Sequence, residues 1–255
     1  MKFSVLASGS KGNISYIASS SAKLLIDAGI TASTIEKNLL ELGVDPNEID
    51  GILLTHTHSD HINGLKVFIK KYHTKVYLSE KMYDELEKQI NLINYEIIDK
   101  FVSIKDIDID IIKTSHDADD SNGYILNSDG KSIVYITDTG YINRKNHSKL
   151  KDKTAYIMES NHDVEMLMNG KYPYYLKQRI LGDRGHLSNK LSSEYLATFI
   201  GKDTEKIVLI HLSEENNDPE VALKTIHDTF SEKNINFDDI TISTQKERTD
   251  LVTLW

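Results

Sequence analysis

The sequence predicts an α/β fold in which two β-sheets pack face to face with helices on the outside. Three observations predict it. Each half of the chain opens on short β-branched runs bounded by turn residues and continues into segments of helical period. No repeat, low-complexity tract or linker interrupts the chain, and 3 prolines in 255 residues leave few breaks, so a single domain over residues 1–255 is expected. A chain of this length hides roughly 70–75% of its unfolded surface on folding, which suffices for a stacked core without covalent staples.

In chain order, Phe3–Ala7, Ile14–Ala18, Lys23–Asp27, Gly51–Leu54, Lys75–Leu78, Ile107–Lys113, Gly123–Asn127 and Ser132–Ile136 read as strands. Helical period marks Ser33–Leu42, where Ser33 and Glu36 have capping-box spacing, then Leu65–Tyr72 and Glu80–Gln89. The second half continues with a strand at Ala155–Met158, helices at Tyr172–Leu181 and Ser188–Ile200, and a buried strand at Ile207–Ile210. Asp218 followed by Pro219 is an N-cap with proline at the first helical position, starting a helix that runs to about Phe230.

Composition narrows the chemistry. With no cysteine, disulfides, iron–sulfur clusters, thiol nucleophiles and thiolate zinc sites are excluded, and His, Asp and Glu remain as the strong metal ligands. The apolar start Phe3-Ser4-Val5-Leu6-Ala7 stops at a glycine turn before reaching signal-peptide length, and no run approaches the roughly 18–20 apolar residues of a membrane span. A cytoplasmic protein without a membrane partner is expected. The net charge of −9 argues against a nucleic-acid affinity resting on overall charge, so such a substrate would be gripped locally.

Ten histidines are therefore the residues to follow. The strand Gly51–Leu54 runs into Thr55-His56-Thr57-His58-Ser59-Asp60-His61, which places three imidazoles and a carboxylate at a strand end. A metal cage built without cysteine requires that convergence. On an extended segment His56, His58 and Asp60 share a face, while His61 needs the chain to turn before Gly64.

His-x-His-x-Asp-His after a strand resembles the signature of the metallo-β-lactamase fold, and the other family motifs follow in order. Leu25-Ile26-Asp27-Ala28-Gly29 resembles the first motif, whose aspartate supports the ligand loop. His116 in Thr114-Ser115-His116-Asp117, Asp138 in Ile136-Thr137-Asp138-Thr139-Gly140, and His211 after Ile207–Ile210 match the remaining ligand positions. The runs Leu6–Asn13, Glu159–Asp163, Gly182–Asn189 and His211–Asn217 are similar to the YycJ/WalJ (VicX) branch across essentially the whole chain. The resemblance implies an αββα sandwich of two mixed sheets, two divalent metal ions, and nuclease activity, chiefly DNA exonuclease activity. It implies that His56, His58 and His116 hold one metal, that Asp60, His61 and His211 hold the second, and that Asp138 bridges them.

Two such ions lower the pKa of bound water to about 7 and polarise a phosphoryl or acyl oxygen, so no serine or cysteine nucleophile is needed. Zinc, manganese or iron(II) would suit the ligands. His186, in a glycine-bounded loop before the N-cap Ser188, is the candidate to help the leaving oxygen depart, with Glu159 as its carboxylate partner. Ribonuclease Z, on the same fold, carries a similar pair. Asp60, Glu159 and His186 are thus the candidate catalytic residues. Ser8, Ser10 and Asn13 in the first glycine loop, with Arg179 and Arg184, are candidate phosphate contacts. Tyr172, Tyr174 and Tyr175 could stack on bases, although such spacing usually serves a core. His73, His147 and His227 read as surface residues, and His162 as ambiguous at the start of a helix.

The same cage serves lactonases, thioesterases and cyclic-nucleotide phosphodiesterases, and a metal-stabilised module without turnover is a third reading. The Glu159 and His186 pair favours phosphodiester chemistry. The segment from Asp138 to His211 spans 73 positions, too short for the inserted domain of β-CASP ribonucleases.

Overall fold

Alternation of side chains along strands that are apolar on both faces decides the layering. The computed structural model describes residues 1–245 and 247–255. In chain order the elements are β1 (Lys2–Ala7), β2 (Ile14–Ala18), β3 (Lys23–Ile26), α1 (Ala32–Glu41), β4 (Gly51–Leu53), α2 (Ser59–Ile62), α3 (Leu65–Tyr72), β5 (Lys75–Leu78), α4 (Glu80–Leu86) and β6 (Tyr95–Ile97). There follow β7 (Phe101–Ile104), β8 (Ile107–Lys113), β9 (Asn122–Ser128), β10 (Lys131–Ile136), α5 (His147–Leu150), β11 (Ala155–Glu159), α6 (Val164–Asn169) and α7 (Tyr174–Leu181). The chain closes with α8 (Asn189–Phe199), β12 (Lys206–Ile210), α9 (Pro219–Glu232), β13 (Ile240–Ile242) and β14 (Val252–Thr253).

Two seven-stranded sheets result, ordered β14-β1-β2-β3-β4-β5-β6 and β13-β12-β11-β10-β9-β8-β7. Each is mixed: β3 to β6 run parallel in the first, β10 to β13 in the second, and the other pairings are antiparallel. Leu24 and Ile26 face the second sheet, where they meet Tyr124, Ile133, Tyr135, Ile157, Val208 and Ile210. The alternate residue Leu25 points the other way, toward Ile35, Leu39, Phe68 and Met82 of the helices outside the first sheet. Val134, Ile136, Ile207 and Leu209 likewise pack outward on Leu196, Phe199, Ile226 and Phe230 of α8 and α9. Three apolar layers make the αββα sandwich, the fold class the sequence predicts.

Local differences have local causes. Thr31, not Ser33, caps α1, accepting from the Thr34 amide, and Glu36 pairs with Lys71 instead of closing a capping box. The helix expected over Glu80–Gln89 ends at Leu86, and Pro173 holds the start of α7 two residues past Tyr172. Ser188 and Asp218 cap α8 and α9 as the sequence indicates. The short strands β6, β7, β13 and β14 have no counterpart in the sequence reading. Among the described residues no helix is long and apolar enough to cross a membrane.

Candidate metal centre and active site

The carboxyl ends of β3, β4, β10, β11 and β12 meet at one edge of the sandwich. There the chain places Asp27, the Thr55–His61 segment, Asp138, Glu159 and His211, and the loop after β8 adds His116. Ligands gather at the carboxyl ends of parallel strands because the backbone must leave the sheet there. Three of these residues hold left-handed backbone: Asp27 at φ 62°, Asp138 at φ 47° and His211 at φ 58°. Such conformations cost of order 1–3 kcal/mol each and persist where surrounding structure enforces them.

Four groups of side chains offer ligand atoms within 4.8 Å of one another: His56 with His58 and His116; His56 with His61 and Asp138; Asp60 with His61 and His211; and Asp138 with Glu159, His186 and His211. All seven residues implied as ligands thus converge. Asp60 reaches the cluster differently from the extended register expected of it. The chain turns into α2 directly after His58, so Asp60 and His61 project from one helical turn.

Several of the cluster's side chains are held by partners behind them. Asp27 is fully buried, accepts from the Thr55 amide and hydroxyl at 2.8 Å each, and accepts from His61 Nδ1 at 2.7 Å. That leaves His61 Nε2 directed at Asp138, 3.1 Å away. His116 Nδ1 donates to the Gly185 carbonyl at 3.3 Å, and Glu159 Oε1 accepts from His211 Nδ1 at 2.8 Å. Partners of this kind fix the orientation of metal-binding imidazoles. His58 Nδ1 and His116 Nε2 stand 3.3 Å apart, about the separation of two nitrogens on one tetrahedral zinc with bonds of roughly 2.0–2.1 Å. The donor set and this spacing fit divalent metal ions.

Charge in the cluster is shared between carboxylates and imidazoles. Burial works to lower the pKa of His211, but Asp138 and Glu159 overcome it and carry the pKa up to about 9. His61 is opposed by burial and raised well above its ordinary value by Asp27 and Asp138. Burial pushes the Asp138 carboxyl up, yet His211 and His61 hold it well below the usual carboxylate range. His56, buried beside other imidazoles, is driven well below its ordinary value.

Glu159 does more than the sequence assigns it. Its Oε1 accepts from His186 Nδ1 as well as from His211 Nδ1, both at 2.8 Å, while Oε2 accepts from the amides of Thr139 at 3.1 Å and Leu187 at 3.0 Å. Burial would raise this carboxyl, but the charge of His186 and hydrogen bonds from both imidazoles bring it down to about 2. His186, 18% exposed at its side chain, faces a cleft of about 270 Å³ lined also by Ser10, His58, Asp60, His116, Asp138, Asn161, Tyr172, Leu176, Arg179, Ile180, His211 and Ser213.

Three candidate phosphate contacts have other work. Ser8 is buried and its Oγ accepts from the His211 amide at 2.6 Å. Asn13 is buried too, its Nδ2 lying 3.2 Å from Asp60 Oδ2 and 3.1 Å from His61 Nε2. Arg184 donates through Nε to the His116 carbonyl and through Nη2 to that of Ala118, fastening the loop that carries His116. A sequence cannot distinguish glycine-loop side chains that point out from those that point in. Ser10 and Arg179 do line the cleft.

Asp117 joins the site without having been among the residues the sequence singles out. It accepts from Arg179 Nε at 2.5 Å, and its Oδ1 lies 3.2 Å from His116 Nε2 and 4.0 Å from His58 Nε2. Its place directly after His116 was the available signal. Of the histidines read as surface residues, His147 needs correction. His147 is half-buried, bonded to the Ile142 carbonyl and set edge-on to Tyr195 and Phe199. His162 precedes the Asp163 cap of α6, is buried, and is lowered to about 4 chiefly by burial. Tyr174 and Tyr175 are 70% and 74% exposed, so they serve no core.

Two stacked mixed sheets with a His/Asp cluster at the carboxyl ends of their strands define a metallo-β-lactamase-fold protein, and the chain belongs to the β-lactamase superfamily, whose family description, "Beta-lactamase superfamily domain", matches residues 22–212. Within that superfamily the similarity is to the YycJ/WalJ branch. The chain is 41% identical over 232 residues to the exodeoxyribonuclease WalJ of Streptococcus pneumoniae, covering 88% of this chain and 86% of the relative. It is 38% identical over 240 residues to the exodeoxyribonuclease YycJ of Bacillus anthracis, covering 91% and 90%. Among solved structures, the metallo-β-lactamase fold protein YhfI of Bacillus subtilis superposes with a TM-score of 0.72 at 16% identity, covering 97% of this chain and 98% of that one, a likeness of fold.

Proposed function

We infer that this chain is a metal-dependent phosphodiesterase that removes nucleotides from DNA ends. The observation that carries the reading is the juxtaposition, in one cleft, of the His/Asp cluster with a histidine held by a fully buried carboxylate. The exodeoxyribonucleases similar to it over most of their length support DNA as the substrate. His56, His58 and His116 would hold one divalent ion, Asp60, His61 and His211 a second, with Asp138 between them. Bound divalent ions supply Lewis acidity toward a phosphoryl oxygen and a water acidic enough to attack at neutral pH.

The residues of the chain do the rest. Glu159 fixes His186 with Nδ1 toward the carboxylate, so Nε2 is the nitrogen available to hand a proton to the leaving oxygen. Arg179, its Nε engaged by Asp117, keeps its terminal nitrogens for a phosphate oxygen in the cleft. The buried Asp27 and Glu159 hold ligand imidazoles in register before substrate arrives.

The test is incubation of metal-loaded protein with end-labelled single- and double-stranded DNA and RNA. Stepwise nucleotide release from DNA, absent in His58→Ala, is expected. If wild type and His58→Ala are equally inert on all four yet differ on a lactone or thioester, the nuclease reading fails.

A further inference from the structure

The face that α7 turns to the cleft enters the mechanism above through Arg179 alone. Leu176, Arg179 and Ile180 lie three and four residues apart on α7, so they share one face of the helix, and Tyr172, just before the extended cap Pro173, lines the same cleft. Three of these four side chains are apolar or aromatic, an odd lining for a cleft whose other side is imidazole and carboxylate. A phosphodiester has no use for such a surface, whereas the π-face of a nucleobase does.

The wall is also held in place. Lys177, on the buried side of α7, donates through Nζ to the carbonyls of Met168 at 2.7 Å and Gly170 at 2.8 Å, tying the helix to the end of α6. At the other end the Ile180 carbonyl accepts from the His186 amide at 3.0 Å, and the backbone packs so closely that a Cβ on Gly185 would stand 2.1 Å from that carbonyl oxygen. The apolar face and His186 are therefore fixed relative to each other. The cleft, at about 270 Å³, lies just under the roughly 300–1,000 Å³ of pockets that enclose drug-sized ligands, the scale of a single nucleotide.

We propose that the Tyr172, Leu176 and Ile180 face of α7 seats the base of the terminal nucleotide, unpaired from its partner and stacked on the Tyr172 ring, while its phosphate meets Arg179 and the metal cluster. The proposal rests on the nuclease reading and adds to it where the substrate's base goes. Because stacking on an aromatic and aliphatic surface reads no base edge, all four bases are accepted.

The experiment measures kcat/KM on DNA strands whose terminal residue carries a base or is abasic, for wild type, Tyr172→Ala and Tyr172→Phe in the metal-loaded protein. Base-to-aromatic stacking corresponds to about a 5- to 150-fold effect. Wild type and Tyr172→Phe should favour the base-bearing end by that factor, and Tyr172→Ala should lose most of the preference by raising KM on the base-bearing end alone. Equal losses on both ends would mark Tyr172 as merely structural, and no loss on either would remove the seat; both outcomes overturn the proposal. Should wild type degrade no DNA, the parent reading fails, and calorimetric binding of a deoxynucleoside monophosphate against deoxyribose phosphate then judges the seat. Tighter binding of the base-bearing compound by wild type but not by Tyr172→Ala supports it, and indistinguishable binding overturns it.

Discussion

Replacing Glu159 by glutamine separates the roles of two histidines that one carboxylate joins. The native carboxylate accepts from four donors, two imidazoles on Oε1 and two backbone amides on Oε2. A carboxamide has one oxygen and one N–H₂ group, so whichever way it turns, two donors face another donor inside a fully buried site. Hydrogen bonds to a charged group contribute about 1.5–3 kcal/mol each, and losing two sets the cost to the site at about 3–6 kcal/mol. His186 and His211 both lose the partner charge, and His211 Nδ1 also loses its acceptor when the N–H₂ group faces the imidazoles. Metal affinity should fall about 10- to 100-fold, as it does when a partner of a ligand imidazole is removed. Turnover at saturating metal should fall about 10²- to 10⁴-fold, the usual contribution of a positioned acid. His186→Ala should match the loss of turnover but leave metal affinity unchanged. Competition against a chromophoric chelator, with kcat measured at saturating metal, reads both quantities. Wild-type metal affinity in Glu159→Gln would refute the link to His211, and loss of metal in His186→Ala would make that histidine a ligand.

Three further outcomes follow from the same geometry. His211, at about 9, and His61, raised well above its ordinary value, are protonated at pH 7 in the metal-free protein, and a metal needs them neutral. Metal uptake should therefore release protons and weaken as pH falls, the His211 contribution fading above about pH 9; calorimetry in buffers of different ionisation enthalpy counts them, and no release would contradict the assignment. Gly29→Ala should destabilise the protein by about 3 kcal/mol in denaturant unfolding, because its Cβ would stand 1.7 Å from the Asp60 carbonyl oxygen; unchanged stability would mean the loops are less closely knit than they stand here. Arg179→Ala should raise KM for DNA with metal content intact, whereas Arg184→Ala should loosen the His116 loop and lower metal affinity; the reverse pattern would return Arg184 to substrate binding.

What could be read from the sequence follows the range of the interactions. The His56–His61 cluster declares itself because scarce residue types crowd a strand end, and the layering follows from strands such as Ile207–Ile210 that are apolar on both faces. The double engagement of Glu159 is invisible in one dimension, since His186 and His211 lie 27 and 52 residues away. The supporting roles of Ser8 and Asn13 depend on which way a loop folds in, and β14, two residues long, exists because β1 offers it an edge. The left-handed backbone at Asp27, Asp138 and His211 is enforced by the assembled site and leaves no local mark.

On the proposed function, the His/Asp cluster holds the metal ions that drive hydrolysis at DNA ends. Titrating zinc or manganese into chelator-stripped protein while following nucleotide release from end-labelled DNA, with bound metal counted in parallel, tests it most directly. Activity should be absent without metal, rise with occupancy, saturate at two ions per chain, and stay absent in His58→Ala at every concentration. Undiminished DNA degradation by the stripped protein, or by His58→Ala, would contradict it.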